Sequence, residues 1–533
     1  MRRLCLTFAF LALVASACSG TDTAITSSPV TGSTDASVRG SVAASTTSTT
    51  LVATTDGVPS STVGEASPAV SGPLSGMGLE RTLPEIMTKA GVPGLSYAVL
   101  EEGKVAWVGS FGVRSTESQE PVNDDTVFAA ASLSKPVFAY LVMLLTQDGT
   151  LDLDRPLEEY LGAPLGEHPN YADLAGDDRT GAITARHVLS HSVGFPNWRF
   201  LTDDGKLRLL FDPGARFSYS GEGIALLQLV VEAVTGRGLE ELAQERIFGP
   251  LGMTRTSYVW QERFEDDHAV PHDGFERPGR LDRRRAADAA GSMITTAGDY
   301  ARFLAAILSA EGTQREFVEA MLVPQVTIDS QQMFGPRSWQ QTTENEAIAL
   351  SWALGWGRFD TALGRAFFHT GHDIGWQAYT VTHFDAGVGA VFLANSDNFE
   401  SGAREMVYAA LGGEGSPFDW LGYPVLDPDR RREPPPGPVA IEIERRVMER
   451  YVGEYEFQGD RFLVSLHQDG LLLSETGGDP IELLAVSESE FFVAGDDARF
   501  RFELAEDGTV ERLLIVVEGL ELAASPISSS PAP

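Results

Sequence analysis

The sequence predicts an α+β domain followed by a small all-β module, and three observations carry that prediction. β-rich segments lie on both sides of a helix-rich middle, at residues 95–112 and again at 353–395. Strands at both ends with helices between predict terminal strands that share one antiparallel sheet, flanked by helices. From Tyr451 onward, short alternating segments are separated by turns at Gly459-Asp460, Gln468-Asp469-Gly470, Gly477-Gly478-Asp479, Gly495-Asp496-Asp497 and Glu506-Asp507-Gly508. That spacing predicts an antiparallel barrel or sandwich of about eight strands. A Pro/Arg-rich stretch, Asp427 to Pro438, separates the two units as a linker should.

In chain order, Met1-Arg2-Arg3 is a basic start and Leu4 to Val14 an apolar run too short to span a bilayer comfortably. Ala15-Ser16-Ala17 follows as a set of small residues at a cleavage point, which predicts a secretory signal peptide over 1–17. Cys18 then resembles the lipidated cysteine of bacterial lipoproteins, although Ala15 stands where that motif usually has Leu or Val; a plain cleaved signal is the alternative. Residues 18–77 are dominated by Ser, Thr, Ala, Gly and Val without a period, the composition of a disordered tether. The α+β domain is expected over 78–415, the linker over 416–440 and the β module over 441–527.

Within the α+β domain, Leu79 to Lys89 is amphipathic, and two β-rich runs around Glu102-Gly103 predict a hairpin. Val137 to Leu145 is apolar all round, as a buried helix should be. Ile183 to Pro196 reads as a short helix and loop. A turn carrying Tyr219 leads into a helix from Ile224 to Val234, and Ala289 to Leu304 reads as a loop and helix. Four strands follow, at 353–359, 366–372, 376–382 and 388–395, and a helix from Ser401 to Leu411 closes the domain.

Composition narrows the function classes. With 533 residues the chain can build two or three domains, and 43% hydrophobic with 22% charged residues is globular. Forty basic against 75 acidic residues, a net charge of −35, argues against nucleic-acid binding. Both cysteines, Cys5 and Cys18, precede the folded body, which therefore has no disulfide, thiolate nucleophile or cysteine metal ligand.

The chemistry-bearing stretch is Ala131-Ser132-Leu133-Ser134-Lys135-Pro136, where a helix is expected to begin. Positions i and i+3 share a helix face, so the Ser132 hydroxyl and the Lys135 amine can meet. A helix start offers free N–H groups to a developing oxyanion, and a desolvated lysine can act as the base a serine nucleophile needs. The chain has only four lysines, Lys89, Lys104, Lys135 and Lys206, and Lys135 alone follows a serine at this spacing.

Three pieces then occur in order: Ser132-Leu133-Ser134-Lys135, Tyr219-Ser220-Gly221 and His369-Thr370-Gly371. Flanking phrases agree, among them His187 to Pro196, Pro213 to Ser220, Pro250 to Met253, Ala290 to Asp299 and Leu354 to Gly357. Over about residues 78–415 this resembles the serine β-lactamase / penicillin-recognising superfamily, in its class C branch of β-lactamases, D,D-carboxypeptidases, D-aminopeptidases and esterases. The resemblance implies a β-lactamase/transpeptidase-like fold with a helical subdomain. It implies Ser132 as acylated nucleophile, Lys135 as its proton partner and Tyr219 as a second base with a lowered pKa. It further implies an oxyanion hole from the N–H groups of Ser132 and His372, with Gly221, His369, Thr370 and Gly371 along the substrate. The tail resembles a lipocalin-like domain. Two positions depart from most β-lactamases: His369 replaces a lysine, leaving a weaker, pH-dependent anchor for a substrate carboxylate, and Gly221 replaces an asparagine.

His187 and His191 have the i, i+4 spacing of zinc ligands, but the glutamate of H-E-x-x-H is missing, so they read as structural and no metal or other cofactor is expected. A G-x-S-x-G elbow is absent, which argues against an α/β-hydrolase. The expectation is an exported serine hydrolase, membrane-anchored through Cys18 or secreted, acting on a small ester, amide or peptide. D-amino-acid peptidase or weak β-lactamase activity is the alternative within the class, and a non-catalytic binding protein of the same fold the alternative outside it.

Overall fold

A computed structural model describes residues 76–527, except 203, 413–415, 428, 430–437, 458–459, 468–469, 476–479, 494–497, 506 and 518–519. The expected signal segment, Cys18 and the tether as far as residue 75 lie outside the described residues; Gly76 and Met77, assigned to the tether, instead begin a helix.

The amphipathic start forms α1 (Gly76–Ala90), which buries Leu79, Leu83, Ile86 and Met87 on one face. The expected hairpin follows as β1 (Gly94–Glu101) and β2 (Lys104–Gly112). Its two turn residues, Glu102 and Gly103, have φ of +50° and +71°, the left-handed pair whose twist joins adjacent strands. Next come β3 (Phe128–Ala129), a 3₁₀ turn Ala131–Leu133, α2 (Ser134–Gln147) and α3 (Gly221–Thr235). β4 (Ile294–Thr295) pairs with β3, and α4 (Ala297–Leu308) follows it. The sheet's later strands are β5 (Val326–Thr327), β6 (Ser351–Trp352), β7 (Gly357–Thr361), β8 (Gly364–Asp373), β9 (Trp376–His383) and β10 (Val388–Ala394), and α5 (Glu400–Leu411) follows them.

These strands form one eight-stranded antiparallel sheet in the order β2-β1-β10-β9-β8-β7-β6-β5. The chain's first and last strands of this domain are neighbours, Leu95 opposite Ala394, as the α+β reading requires. Successive side chains serve opposite faces. Leu95, Tyr97 and Val99 join the core under α1 and α5, whereas Ala98 and Leu100 join the larger core built with α2, α3 and α4. Both faces are covered, so these strands read as nearly continuous apolar runs.

The structure corrects two sequence boundaries. Residues 353–356 are a turn, not strand, because Gly355 sits at φ +83°, where an added Cβ would stand 2.3 Å from Ala139 Cβ. Residues 418–426, assigned to the linker by composition, belong to the folded domain. Phe418 and Trp420 are buried in its core, with Tyr423 packed against it. Their aromatic anchors outweigh the Pro/Gly character around them.

The eight strands from Gly453 to Pro526 close into a barrel. Its interior is filled by side chains, including Tyr455, Phe462, Leu471, Phe491, Phe500 and Ile515, with Tyr451 stacked on Phe502 at 4.3 Å.

Candidate active site

The nucleophile candidate sits in the 3₁₀ turn ahead of α2, one residue after Ala131, whose φ of +46° is left-handed. That conformation is costly for a residue with a Cβ and persists only where surroundings impose it. Here Ser134 Oγ donates to Ala131 O at 2.6 Å and accepts from Met293 N–H at 3.0 Å, while Tyr258 OH donates to Ser134 O at 2.9 Å. The turn is held from both sides, and α2 starts two residues later than the nucleophile.

The i, i+3 expectation is met. Lys135 Nζ lies 2.9 Å from Ser132 Oγ and donates to Ala290 O at 2.6 Å. Lys135 is wholly buried, and that burial pulls its amine down to about 7, against a smaller opposing pull from Asp288. Near neutrality the amine is therefore often unprotonated. With one N–H committed to Ala290 O, its lone pair can accept the Ser132 proton.

Tyr219 precedes α3 and is buried, with Lys135 Nζ 5.0 Å from its ring centroid and a hydrogen bond joining it to Ser132. The expected lowering of its pKa is not what this environment produces. Burial pushes the phenol well above its ordinary value, and the Ser132 hydrogen bond only partly opposes this. Lys135 is thus the group of the pair that is ready to take a proton.

Strand β8 supplies the third wall. The two-residue turns at Ala362-Leu363 and Ile374-Gly375 close on Thr361/Gly364 and Asp373/Trp376. Antiparallel alternation then directs the N–H groups of Thr370 and His372 away from β9. β7 covers that edge only as far as Phe368, so these two N–H groups lie beyond its pairing. Gly371 explains how close the edge comes: a Cβ there would stand 2.4 Å from Ala130 O in the nucleophile turn.

The side chains behave differently from their expected roles. His369 is wholly buried, Nδ1–H donates to Thr370 O at 2.7 Å, and Nε2 has no partner. Burial, then the charge of Lys135, pulls His369 down to about 3, so it is neutral at ordinary pH and anchors no carboxylate by charge. His372 is likewise pulled down to about 4 by burial. Thr370 Oγ1 is hydrogen-bonded to Tyr423 OH and so serves the domain's own packing. At Gly221 the missing side chain is replaced by a neighbour, since an added Cβ would lie 2.3 Å from Trp198 Cζ2.

Sequence reasoning missed several walls of the site. His191 lies with its ring 4.1 Å from that of Tyr219 and accepts from Ser220 N–H through Nδ1 at 3.1 Å. Trp352 and Phe334 pack edge-on against Tyr219 at 5.9 and 5.4 Å. His191 and Ala290 stood inside phrases singled out in the sequence; Trp352 and Phe334 carried no local signal. Among the described residues no group of three or more His, Cys, Asp or Glu side chains gathers as a metal site.

A buried serine paired with a neutral-prone lysine, a tyrosine and a free strand edge defines a serine hydrolase. The comparisons with known proteins agree. The family described as Beta-lactamase matches residues 79–413, and the chain belongs to that family. It is 23% identical over 462 residues to a penicillin-binding protein of Bacillus subtilis, covering 77% of this chain and 92% of that one. It is 29% identical over 210 residues to the esterase EstB of Burkholderia gladioli, covering 34% and 51%. The octameric penicillin-binding protein homologue from Pyrococcus abyssi shares the fold, with a TM-score of 0.51, 22% identity, and coverage of 84% of this chain and 100% of that structure.

Proposed function

We propose that this protein is an exported hydrolase that acylates Ser132 with a small uncharged ester or amide and then hydrolyses the acyl-enzyme. The observation that carries the reading is the 2.9 Å Lys135–Ser132 contact in a fully buried setting. In the acylation step neutral Lys135 takes the Ser132 proton as Oγ attacks the carbonyl carbon. The N–H groups of Ser132 and His372 receive the developing oxyanion. Collapse of the tetrahedral intermediate breaks the bond to the leaving group, which takes the proton from Lys135, with Tyr219 as a neutral phenol between them. Water repeats the sequence on the acyl-enzyme, and the acid departs from Ser132.

Substrate class follows from what the site lacks. Neutral His369 provides no cation for a carboxylate, and Trp198 fills the side-chain space at Gly221. Both features disfavour β-lactams and favour an acyl group held by apolar and aromatic walls; similarity to EstB supports the ester reading. Similarity to a D-aminopeptidase of Brucella anthropi, 27% identical over 326 residues, supports D-amino-acid peptides as the second reading. Export, and anchoring through Cys18, rest on the amino-terminal residues.

The test is turnover of a short-chain nitrophenyl ester, D-amino-acid amides, D-Ala-D-Ala peptides and a chromogenic cephalosporin. The ester should be hydrolysed fastest and the cephalosporin slowest. Ser132→Ala should lower ester turnover by at least ~10³-fold, and undiminished turnover in that variant would sink the mechanism.

A further inference from the structure

Behind the site lies a buried charge cluster that the acylation chemistry does not use. The Arg284 guanidinium, 13% exposed, forks between three acceptors. Nη2 donates to Asp373 Oδ2 at 2.6 Å, Nε to Asp282 Oδ2 at 2.9 Å and Nη1 to Gly291 O at 3.3 Å. Two of these belong to the active site's own framework. Asp373 directly follows His372 at the end of β8, and its second oxygen accepts from Ile374 N–H at 2.9 Å, fixing the turn that sets the strand's alternation. Gly291 directly follows Ala290, whose carbonyl accepts from Lys135. A single side chain therefore ties the strand end bearing the proposed oxyanion N–H to the loop that holds the proposed base.

We infer that Arg284 is a positioning residue for acylation: it sets the His372 N–H and the Ala290 carbonyl at fixed separation from Ser132, and so acts through both without touching substrate. The inference rests on the acyl-enzyme reading given above. An arginine suits the task because its planar fork donates in three fixed directions, which a lysine ammonium on a flexible stem does not reproduce. Burial raises Asp373 to about 6 even with Arg284 beside it, so without its partner the carboxyl would be driven to take a proton and its hold on the strand end would change. A cavity of about 30 Å³, bordered by Arg284, Asp373, Gly291 and Trp376, adjoins the cluster. That space lets the strand end relax when the tie is cut.

The test measures the rate of Ser132 phosphonylation by a fluorophosphonate in the full chain, in which Lys135 takes the Oγ proton, Oγ–P forms, P–F breaks and fluoride leaves. The phosphoryl oxygen makes the same demand on the oxyanion N–H groups as a substrate, whatever the natural substrate is. Rate and amplitude are read separately, because a loss of folded protein lowers amplitude whereas misplacement lowers rate. Arg284→Met should slow labelling by about tenfold or more, below the loss of a whole oxyanion donor, at full amplitude. Ester kcat should fall with KM changed less than about twofold. Arg284→Lys should recover thermal stability but not the rate, and Asp373→Asn should slow labelling in the same direction if Arg284→Met does not fold. Wild-type labelling rates in Arg284→Met or Arg284→Lys overturn the positioning role and leave the acyl-enzyme reading intact. No label on Ser132 in the wild type overturns both.

Discussion

Lys135 is the residue on which the chemistry and the stability of the domain meet. Burial lowers its amine to about 7 from the ordinary value of 10.5, so the protein holds it neutral where the unfolded chain would hold it charged. The catalytic consequence is an acid limb: kcat/KM for a neutral ester should rise with pH and level off above an inflection near 7, since only the neutral amine takes the Ser132 proton. A pH–rate profile flat from 5 to 9 would contradict the assignment. For stability the sign is the opposite of a salt-bridged lysine. Between about 7 and 10.5 the unfolded state binds more protons, so this group's contribution rises with pH across that window. Below it, the full penalty of charging a buried amine applies, on the order of 5 kcal/mol. Lys135→Met should therefore be more stable than the wild type near pH 7, with the difference narrowing toward pH 10 in paired denaturant titrations. Tyr219, pushed upward by burial, adds no limb in this range.

At the scale of elements, the site is the meeting of a 3₁₀ turn, a strand edge and a helix start, each with a demanding local geometry. Gly371 lets β8 approach the nucleophile turn, and a methyl group there has backbone rather than a movable side chain in its way. Gly371→Ala should cost about 1–3 kcal/mol of stability and lower ester kcat by about 10²-fold or more, what loss of an oxyanion donor does. Circular dichroism melts and ester kinetics on one preparation check both. At Gly221 the obstacle is the Trp198 indole, which is held in place by its loop: Arg199 next to it pairs with Glu222 of α3 at 2.7 Å. Gly221→Asn alone should destabilise the domain and gain no cephalosporin turnover, whereas Gly221→Asn with Trp198→Ala should recover the melting temperature. These elements were unequally legible in the sequence. The Ser132/Lys135 spacing, the hairpin at Glu102-Gly103 and the shared terminal strands followed from local pattern and element order. The 3₁₀ offset of Ser132 from α2 did not, because it depends on Ser134 finding partners in Ala131 and Met293. Nor did Trp352, Phe334 and Arg284, which reach the site or its supports through tertiary packing with no periodic or motif signal. The neutral state of His369 was equally hidden, being a product of burial next to another base.

On the scale of the whole molecule, the chain joins a hydrolase domain of the β-lactamase family to a closed barrel whose interior is occupied by its own side chains. Tyr455, Phe462, Phe491 and Phe500 belong to the core that the described barrel residues pack inside it. The proposed export and anchoring rest on the basic and apolar start and on Cys18, and they are tested separately. Metabolic labelling with a fatty acid should mark the wild type, and Cys18→Ser should abolish the mark and move the protein from membrane to soluble fractions. Equal soluble fractions would instead support the plain cleaved signal.

The acyl-enzyme at Ser132 is the claim from which the substrate, the pH profile and the role of Arg284 follow. Its most direct test is intact and peptide mass spectrometry after exposure of the full chain to a fluorophosphonate at pH 8, where Lys135 is mainly neutral. A single phosphonyl adduct confined to the peptide bearing Ser132, and absent from Ser132→Ala, is the result expected. An unmodified wild type, or an adduct on another residue that persists in Ser132→Ala, would contradict it.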